Sequence, residues 1–243
     1  MNPEQAISSE VGSDIQAENA GWSFSGAVAD TFGDHVRQSI PMYDVGHDLV
    51  CKLSDYFVRD DSLCYEIGVS VGELLAKLVK HNQGKSAIWV GIDIEPNMVD
   101  KAQERFTGLS NVSVEAADVN GYEFQKSDLI VSYYCVQFIH PKRRQVLIDR
   151  IYEALNWGGG FIWFEKVRGP DARFQDILTT LYNDFKLEHG LDADEIVAKT
   201  RSLKGVMEPF STQGDFDLLK RAGFVDIMTV MKHLCFEGFL AIK

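Results

Sequence analysis

Apolar residues along this chain change their spacing several times, and each change marks an element. Val28, Phe32, Val36 and Ile40 recur at helical spacing and stop at Pro41, which predicts a first helix. A second helix follows Tyr43, with Val45, Leu49, Leu53 and Tyr56 on one face. Residues 63–68 then read as a buried strand ending in glycine. Residues 72–81 read as a helix with Leu74, Leu75, Leu78 and Val79 inward. A strand at 87–92, a helix at 96–106 with Pro96 in its first turn, and a short strand at 112–116 follow. A buried strand at 128–134, an amphipathic helix at 143–155 stopped by Asn156 and Gly158, and a strand at 160–165 complete the run. Such alternation predicts a parallel sheet with right-handed crossovers. Near the end, a helix at 216–222 is closed by Gly223. Strands at 225–232 and 236–242 share only a short turn, so they pair antiparallel.

Two stretches stand outside this alternation. Residues 1–21, rich in Ser, Glu, Asn and Gln, show no periodicity and read as a mobile arm. Between about 170 and 213, Phe174, Ile177, Leu178, Leu181, Tyr182 and Phe185 form a helical stripe, and Asp192-Ala193-Asp194-Glu195 opens a further helix. The stripe reads as the inner face of a lid, or as a homodimer surface. The expected fold is therefore α/β: a seven-stranded doubly wound sheet over residues 22–243, with an N-terminal helical cap and a helical lid insertion.

Composition narrows the function classes. A chain of 243 residues fits one domain with a large core. Its net charge of −12 disfavours nucleic acid and points to a small-molecule substrate. The densest basic run, Lys142-Arg143-Arg144, reads as a solvated turn. No apolar run reaches the roughly 18 residues that would span a membrane, and nothing directs the chain out of the cytoplasm. The four cysteines have neither CxxC pairing nor zinc spacing, so they read as reduced, small buried hydrophobes, and no metal site is expected.

The strongest chemical signal is Glu66-Ile67-Gly68-Val69-Ser70-Val71-Gly72. A strand running into a glycine-rich turn and then a helix lets a ligand approach the backbone, with helix N–H groups pointing at it. Packing alone would also account for such a turn. Asp93, at the end of the second strand, stands at the distance expected of a carboxylate that binds ribose hydroxyls. Asp118 after the third strand suits an adenine amino group. Each acid taken singly could be a helix cap, but acids in register along one sheet edge are harder to attribute to chance.

In these residues, and in its closing antiparallel hairpin, the sequence resembles the class I S-adenosylmethionine (SAM)-dependent methyltransferases over residues 22–243. The resemblance implies a Rossmann-like fold. The methionine part of SAM, or of S-adenosylhomocysteine, would lie at Glu66, Gly68, Val69, Ser70 and Gly72. The ribose would lie at Asp93 and Ile94, and adenine at Asp118 and Val119. A narrower similarity, to carboxy-SAM synthases, is carried by Gln38-Ser39-Ile40-Pro41-Met42-Tyr43, Val136-Gln137-Phe138-Ile139, Phe164-Glu165-Lys166 and Arg201-Ser202-Leu203. That subfamily places a prephenate-derived carboxyl group on the sulfonium methyl, and its product, carboxy-SAM, serves a transfer-RNA-modifying partner. The similarity implies that Arg201 binds the new carboxylate and that Tyr43 lines the cofactor site. The chain departs from the pattern at Val69, at Tyr133 (an asparagine in the subfamily) and at Leu234-Cys235-Phe236-Glu237-Gly238.

Catalytic candidates follow. His140 is placed where methyltransferases often carry a base, although a loop histidine is more often solvated. Glu165 and Lys166 end the fifth strand, as acceptor ligands or as a salt-bridged lip. Tyr133 and Tyr134 are consecutive in a strand, so only one is expected to face the site. Arg201 could read a carboxylate on SAM, read an acidic acceptor, or pair with Glu195. Methyl transfer to a small acidic metabolite, carboxy-SAM synthesis and SAM binding without turnover are the three readings, taken in that order.

Overall fold

The structure is a computed structural model that describes residues 10–11, 17–24 and 28–243. Most of the expected arm lies outside the described residues, but Val11 is fully buried in a cluster with Trp22, Val28 and Met98. Two helices, α1 (Val28–Ser39) and α2 (Tyr43–Ser54), precede the sheet. Strands β1 (Leu63–Ile67), β2 (Ile88–Asp93), β3 (Val112–Ala116), β4 (Ser127–Tyr133) and β5 (Leu155–Lys166) are joined by α3 (Glu73–His81), α4 (Pro96–Arg105) and α5 (Pro141–Ala154). After β5 come α6 (Ala172–Glu188), α7 (Ala193–Ser202) and α8 (Thr212–Ala222), then β6 (Asp226–His233) and β7 (Phe236–Ile242).

The seven strands lie in the order β3-β2-β1-β4-β5-β7-β6. All pairings from β3 to β5 are parallel, while β7 is antiparallel to both β5 and β6. The order reverses between β1 and β4, and ligands of open α/β sheets bind beyond the carboxyl ends of the strands at such a point. Alternation along each strand feeds two cores. Cys64, Val131, Ile162 and Phe164 pack toward α2 and α3, while Tyr65, Ile67, Phe161 and Trp163 pack toward α5 and α8.

Four details depart from the sequence reading. β5 starts directly after α5, so Asn156 to Gly159 belong to the strand rather than to a loop. The Gly158 amide donates to the Lys243 carbonyl at 2.7 Å, the Lys243 amide returns a bond to Gly159, and Asn156 binds Asp128, so the segment is tied into the sheet. α8 starts at Thr212, four residues before the expected 216, because the Ser211 hydroxyl accepts from the Gly214 amide and caps it. The α6 stripe is divided: Leu178 and Tyr182 pack on the core, whereas Phe174, Ile177 and Leu181 are exposed. Finally, Arg144 is 2% exposed rather than solvated. Among the described residues no helix is long and apolar enough to cross a membrane.

The junction of parallel and antiparallel pairing is tightly packed. A Cβ at Gly238 would stand 2.5 Å from the ring of Phe164, which is itself buried. Gly238→Ala is therefore expected to destabilise the fold by about 1–3 kcal/mol, the cost of overpacking a core, read as a lower urea midpoint at unchanged slope.

Candidate active site

At the end of β1 the chain turns so tightly that no side chain fits at Gly68. Gly68 has φ +73°, and a Cβ there would lie 2.5 Å from Cys135 on the neighbouring strand end. Ser70 sits at φ +51°, a left-handed conformation that costs a non-glycine residue roughly 1–2 kcal/mol. That conformation aims the Ser70 amide at the Asp93 carboxylate, 2.8 Å away, and the Glu95 amide reaches the same carboxylate at 3.0 Å. Val69 is buried beneath Gly91, and Gly72 precedes α3 at φ +77°.

Beyond this turn lies a cleft of about 250 Å³, with walls that include Gly68, Asp93, Ile94, Asp118, Val119 and His140. Burial holds the Asp93 carboxyl above its ordinary pKa, against the pull of the amides that bind it. Asp118 is exposed and accepts from both the amide and the side chain of Asn120, which fixes its orientation. His140 caps α5, its Nδ1 accepting from the Lys142 amide, so it stands at the mouth of this cleft. Glu66 lies beneath the turn. It is buried, one carboxylate oxygen has no partner among the described residues, and burial and the charge of Asp93 raise its pKa well above the usual range. Two carboxylates at adjacent strand ends, Asp93 and Asp118, beside a turn with no room for a Cβ at Gly68, are of the kind that would suit the ribose and adenine of SAM.

The alternation expected at Tyr133 and Tyr134 fails. Tyr134 adopts φ +56°, which swings its ring to the face that Tyr133 already occupies, with centroids 4.7 Å apart. The Tyr133 hydroxyl donates to the Tyr43 carbonyl at 2.7 Å, and its ring packs on Tyr43, His47 and Phe164. Both tyrosines line a small aromatic pocket of about 100 Å³, together with Trp22, Phe24, Phe138 and Tyr182. Tyr43 is buried in the cluster behind it and forms no wall of the nucleoside cleft. Phe138 borders both the cleft and the aromatic pocket.

Beside the aromatic pocket, and sharing Lys166, Tyr182, Lys199, Leu203 and Met207 with it, lies a cavity of about 520 Å³ lined from α6 and α7. Six cations line it, Lys166, Arg168, Lys186, Lys199, Arg201 and Lys204, and its lining includes no carboxylate. Lys186 and Lys199 are only 3% and 7% exposed. The ammonium groups of Lys166 and Lys186 lie 4.2 and 4.4 Å from the Tyr182 ring centroid. Burial, reinforced by the charge of Lys166, lowers Lys186 to about 8. Arg201 does not pair with Glu195, which closes a capping box with Asp192 instead. Its carbonyl accepts from the Ala20 amide, and Trp22 binds the next carbonyl, so residues 20–22 are strapped to the end of α7.

Glu165 and Lys166 point to opposite faces of β5. Lys166 enters the cavity, whereas Glu165 is buried toward α5 and α8, near Arg144 and Asp215. The glutamate therefore stands apart from the acceptor side. Arg144 donates to the carbonyls of Ile139 and Gln137 and so fixes the turn that carries Phe138. Arg168, Lys186, Lys199 and Lys204 escape a reading of the sequence because they are scattered over two helices, α6 and α7, and the loops after β5 and α7. The signal that could have found them is the lack of nearby acids on the inward positions of α6 and α7.

With this geometry in place, comparisons with known proteins agree. A family described as "Methyltransferase domain" matches residues 65–159. The carboxy-S-adenosyl-L-methionine synthase of Staphylococcus epidermidis is 34% identical over 223 residues, covering 91% of this chain and 97% of that protein. The enzyme of the same name from Campylobacter lari is 30% identical, covering 91% and 94%. Human N-acetylserotonin methyltransferase, solved in complex with SAM, superposes with a TM-score of 0.60 at 19% identity, covering 89% of this chain and 58% of that one.

Removing the carboxylate at the second strand end tests the nucleoside cleft. Asp93→Ala is expected to weaken SAM binding roughly 10–100-fold, the worth of hydrogen bonds to a charged group, measured by titration calorimetry. Unchanged affinity would exclude Asp93 from the cofactor site.

Proposed function

We infer, from the premise that this chain belongs to the class I SAM-dependent methyltransferase family beside the carboxy-SAM synthases, that it makes carboxy-SAM from SAM and an anionic carboxyl donor. The chain is a SAM-dependent transferase; the donor and the group transferred are our reading. What carries it is the cationic cavity next to the aromatic pocket. Buried ammonium groups without carboxylates are costly until an anion arrives, so the cavity suits a carboxylate-bearing molecule with an apolar body. Prephenate, implied by the similarity to carboxy-SAM synthases, has that character. This reading reverses the order in which methyl transfer stood first, because the relatives that span the chain carry the synthase name.

Bound SAM supplies a sulfonium centre whose charge activates its methyl group. On this reading SAM would offer its activated methyl group to receive the carboxyl carbon, while the donor would lose carbon dioxide and hydroxide as its ring becomes aromatic, and the hydroxide would leave as water with the methyl proton. Asp93 and Asp118 hold the nucleoside, and the Gly68 turn brings backbone close to the amino-acid end. Arg201 takes the carboxylate of the product. Lys166 and Lys186 hold the donor anion, and the strap with Trp22 and Phe24 keeps water out. No residue is needed to supply a nucleophile.

One observation favours a second reading. Tyr133 is far larger than the asparagine it replaces and narrows the aromatic pocket, which would suit methyl transfer to a small acidic acceptor. Mass spectrometry of the small molecule released on denaturing the purified protein separates the two. Carboxy-SAM is expected; SAM or S-adenosylhomocysteine alone favours methyl transfer. Arg201→Ala should abolish carboxy-SAM formation while SAM still binds, and a variant that makes it at the normal rate would sink the synthase reading.

A further inference from the structure

We propose that Lys199 selects the anionic ligand at the junction of the aromatic pocket and the cationic cavity, and takes up a proton from solvent as that anion binds. The inference rests on the reading of the cavity as an anion site. Lys199 lies where the two spaces meet, since it lines both of them. Its amine lies 2.6 Å from His35 Nε2, and it also bonds the Ser39 hydroxyl. The ring of Trp22 stands 5.6 Å away, so the strap over the site closes on this side chain.

The charged groups around it come from every neighbouring element. His35 faces it from α1, Lys166 from β5, and Lys186 from α6. Glu195, one turn back on α7, is the acid that acts on it, but that carboxylate is engaged by the Asp192 amide. Burial first, then the charges of Lys186 and Lys166, bring the free amine down to about 7. Near neutrality the empty site thus holds a mixture of amine and ammonium.

A carboxylate entering beside it supplies the missing opposite charge and favours the ammonium. The sign follows from linkage. Because the bound state holds more protons than the free state, affinity is highest below about pH 7 and falls as pH rises above it. The limit for one proton is about tenfold per pH unit. Lys166 and Lys186 contribute attraction without selecting position. Lys199 instead sits where a ligand must place its carboxylate to join an apolar body in the aromatic pocket to a second acid in the cavity.

The test uses the full chain saturated with SAM, and phenylsuccinate, an aryl dicarboxylate, as probe. Binding is measured by titration calorimetry at pH 7, where Lys186 is already protonated, in two buffers of different ionisation heat. Uptake of about half a proton is expected for the native protein, and it should fall to near zero in Lys199→Met but persist in Lys166→Met. Binding without proton uptake by the native protein overturns the proposal, and so does failure of the probe to bind. Uptake that survives in Lys199→Met assigns the proton elsewhere and also overturns it. The native measurement does not depend on how any variant folds. Proton uptake in a protein that forms no carboxy-SAM would refute the synthase reading and leave this inference standing.

Discussion

The site depends on keeping buried positive charge away from negative charge. Lys186 and Lys199 are nearly without solvent, Lys166 lies beside them, and no carboxylate lines their cavity. In a chain with 36 acidic residues against 24 basic ones, such separation is not what random placement would produce. Desolvating an ion costs several kcal/mol even after relaxation, and here aromatic rings and neutral polar groups, rather than carboxylates, offset part of that cost. The lowered affinity of Lys186 and Lys199 for protons is the electrostatic consequence, and an anion would reverse it. Ligand binding and stability of the α6–α7 region are then coupled, because whatever binds the native state stabilises it.

A single strand enforces the separation. β5 turns Lys166 to one face of the sheet and Glu165 to the other. Behind the sheet, Glu165 and Glu237 are cross-strand partners, and Asp215 lies close enough to feel the field of Glu237. Burial raises Asp215 to about 8 and lifts Glu165 well above the usual carboxylate range, whereas Glu237 is ion-paired with Lys232. Arg144 compensates part of this second cluster and simultaneously holds the carbonyls of Gln137 and Ile139. Gln137 completes the link from the front, since its side chain accepts from the Lys166 amide at 2.9 Å. The turn bearing Phe138, which divides the nucleoside cleft from the aromatic pocket, is thus clamped from both sides of the sheet.

The sheet, and the cleft that Gly68, Asp93 and Asp118 line, were legible because both are written in local pattern. Period-2 and period-3.6 spacing gave the strands and helices, and Gly68, Gly72, Asp93 and Asp118 follow strand ends at fixed offsets. The acceptor side was not legible, for two physical reasons. Its cations come from β5, α6, α7 and the loops that follow β5 and α7, so only tertiary packing brings them together. And the rule that strand neighbours alternate sides was overruled at Tyr134, where a left-handed backbone turns two consecutive tyrosines to one face. Arg144 misled in the opposite sense: a basic run read as solvated hides one member that the helix carries into the core.

The two halves of the site are accordingly under different constraints. The half at the carboxyl end of β1 is built from backbone: a positive φ at Gly68, an amide aimed from Ser70 at Asp93, and no room for a Cβ at Gly68 or Gly72. Substitution there changes geometry, so the half tolerates little variety. The acceptor half is built from side-chain charge and aromatic area, which can be redistributed without moving the chain. Tyr133 shows how. Its hydroxyl is satisfied by a carbonyl of α2, and Gly46 leaves room for its ring, so a large residue enters the pocket wall with no unpaired polar atom. The shape of the aromatic pocket is set in this second half, where one side chain can change while the backbone turn at Gly68 stays as it is.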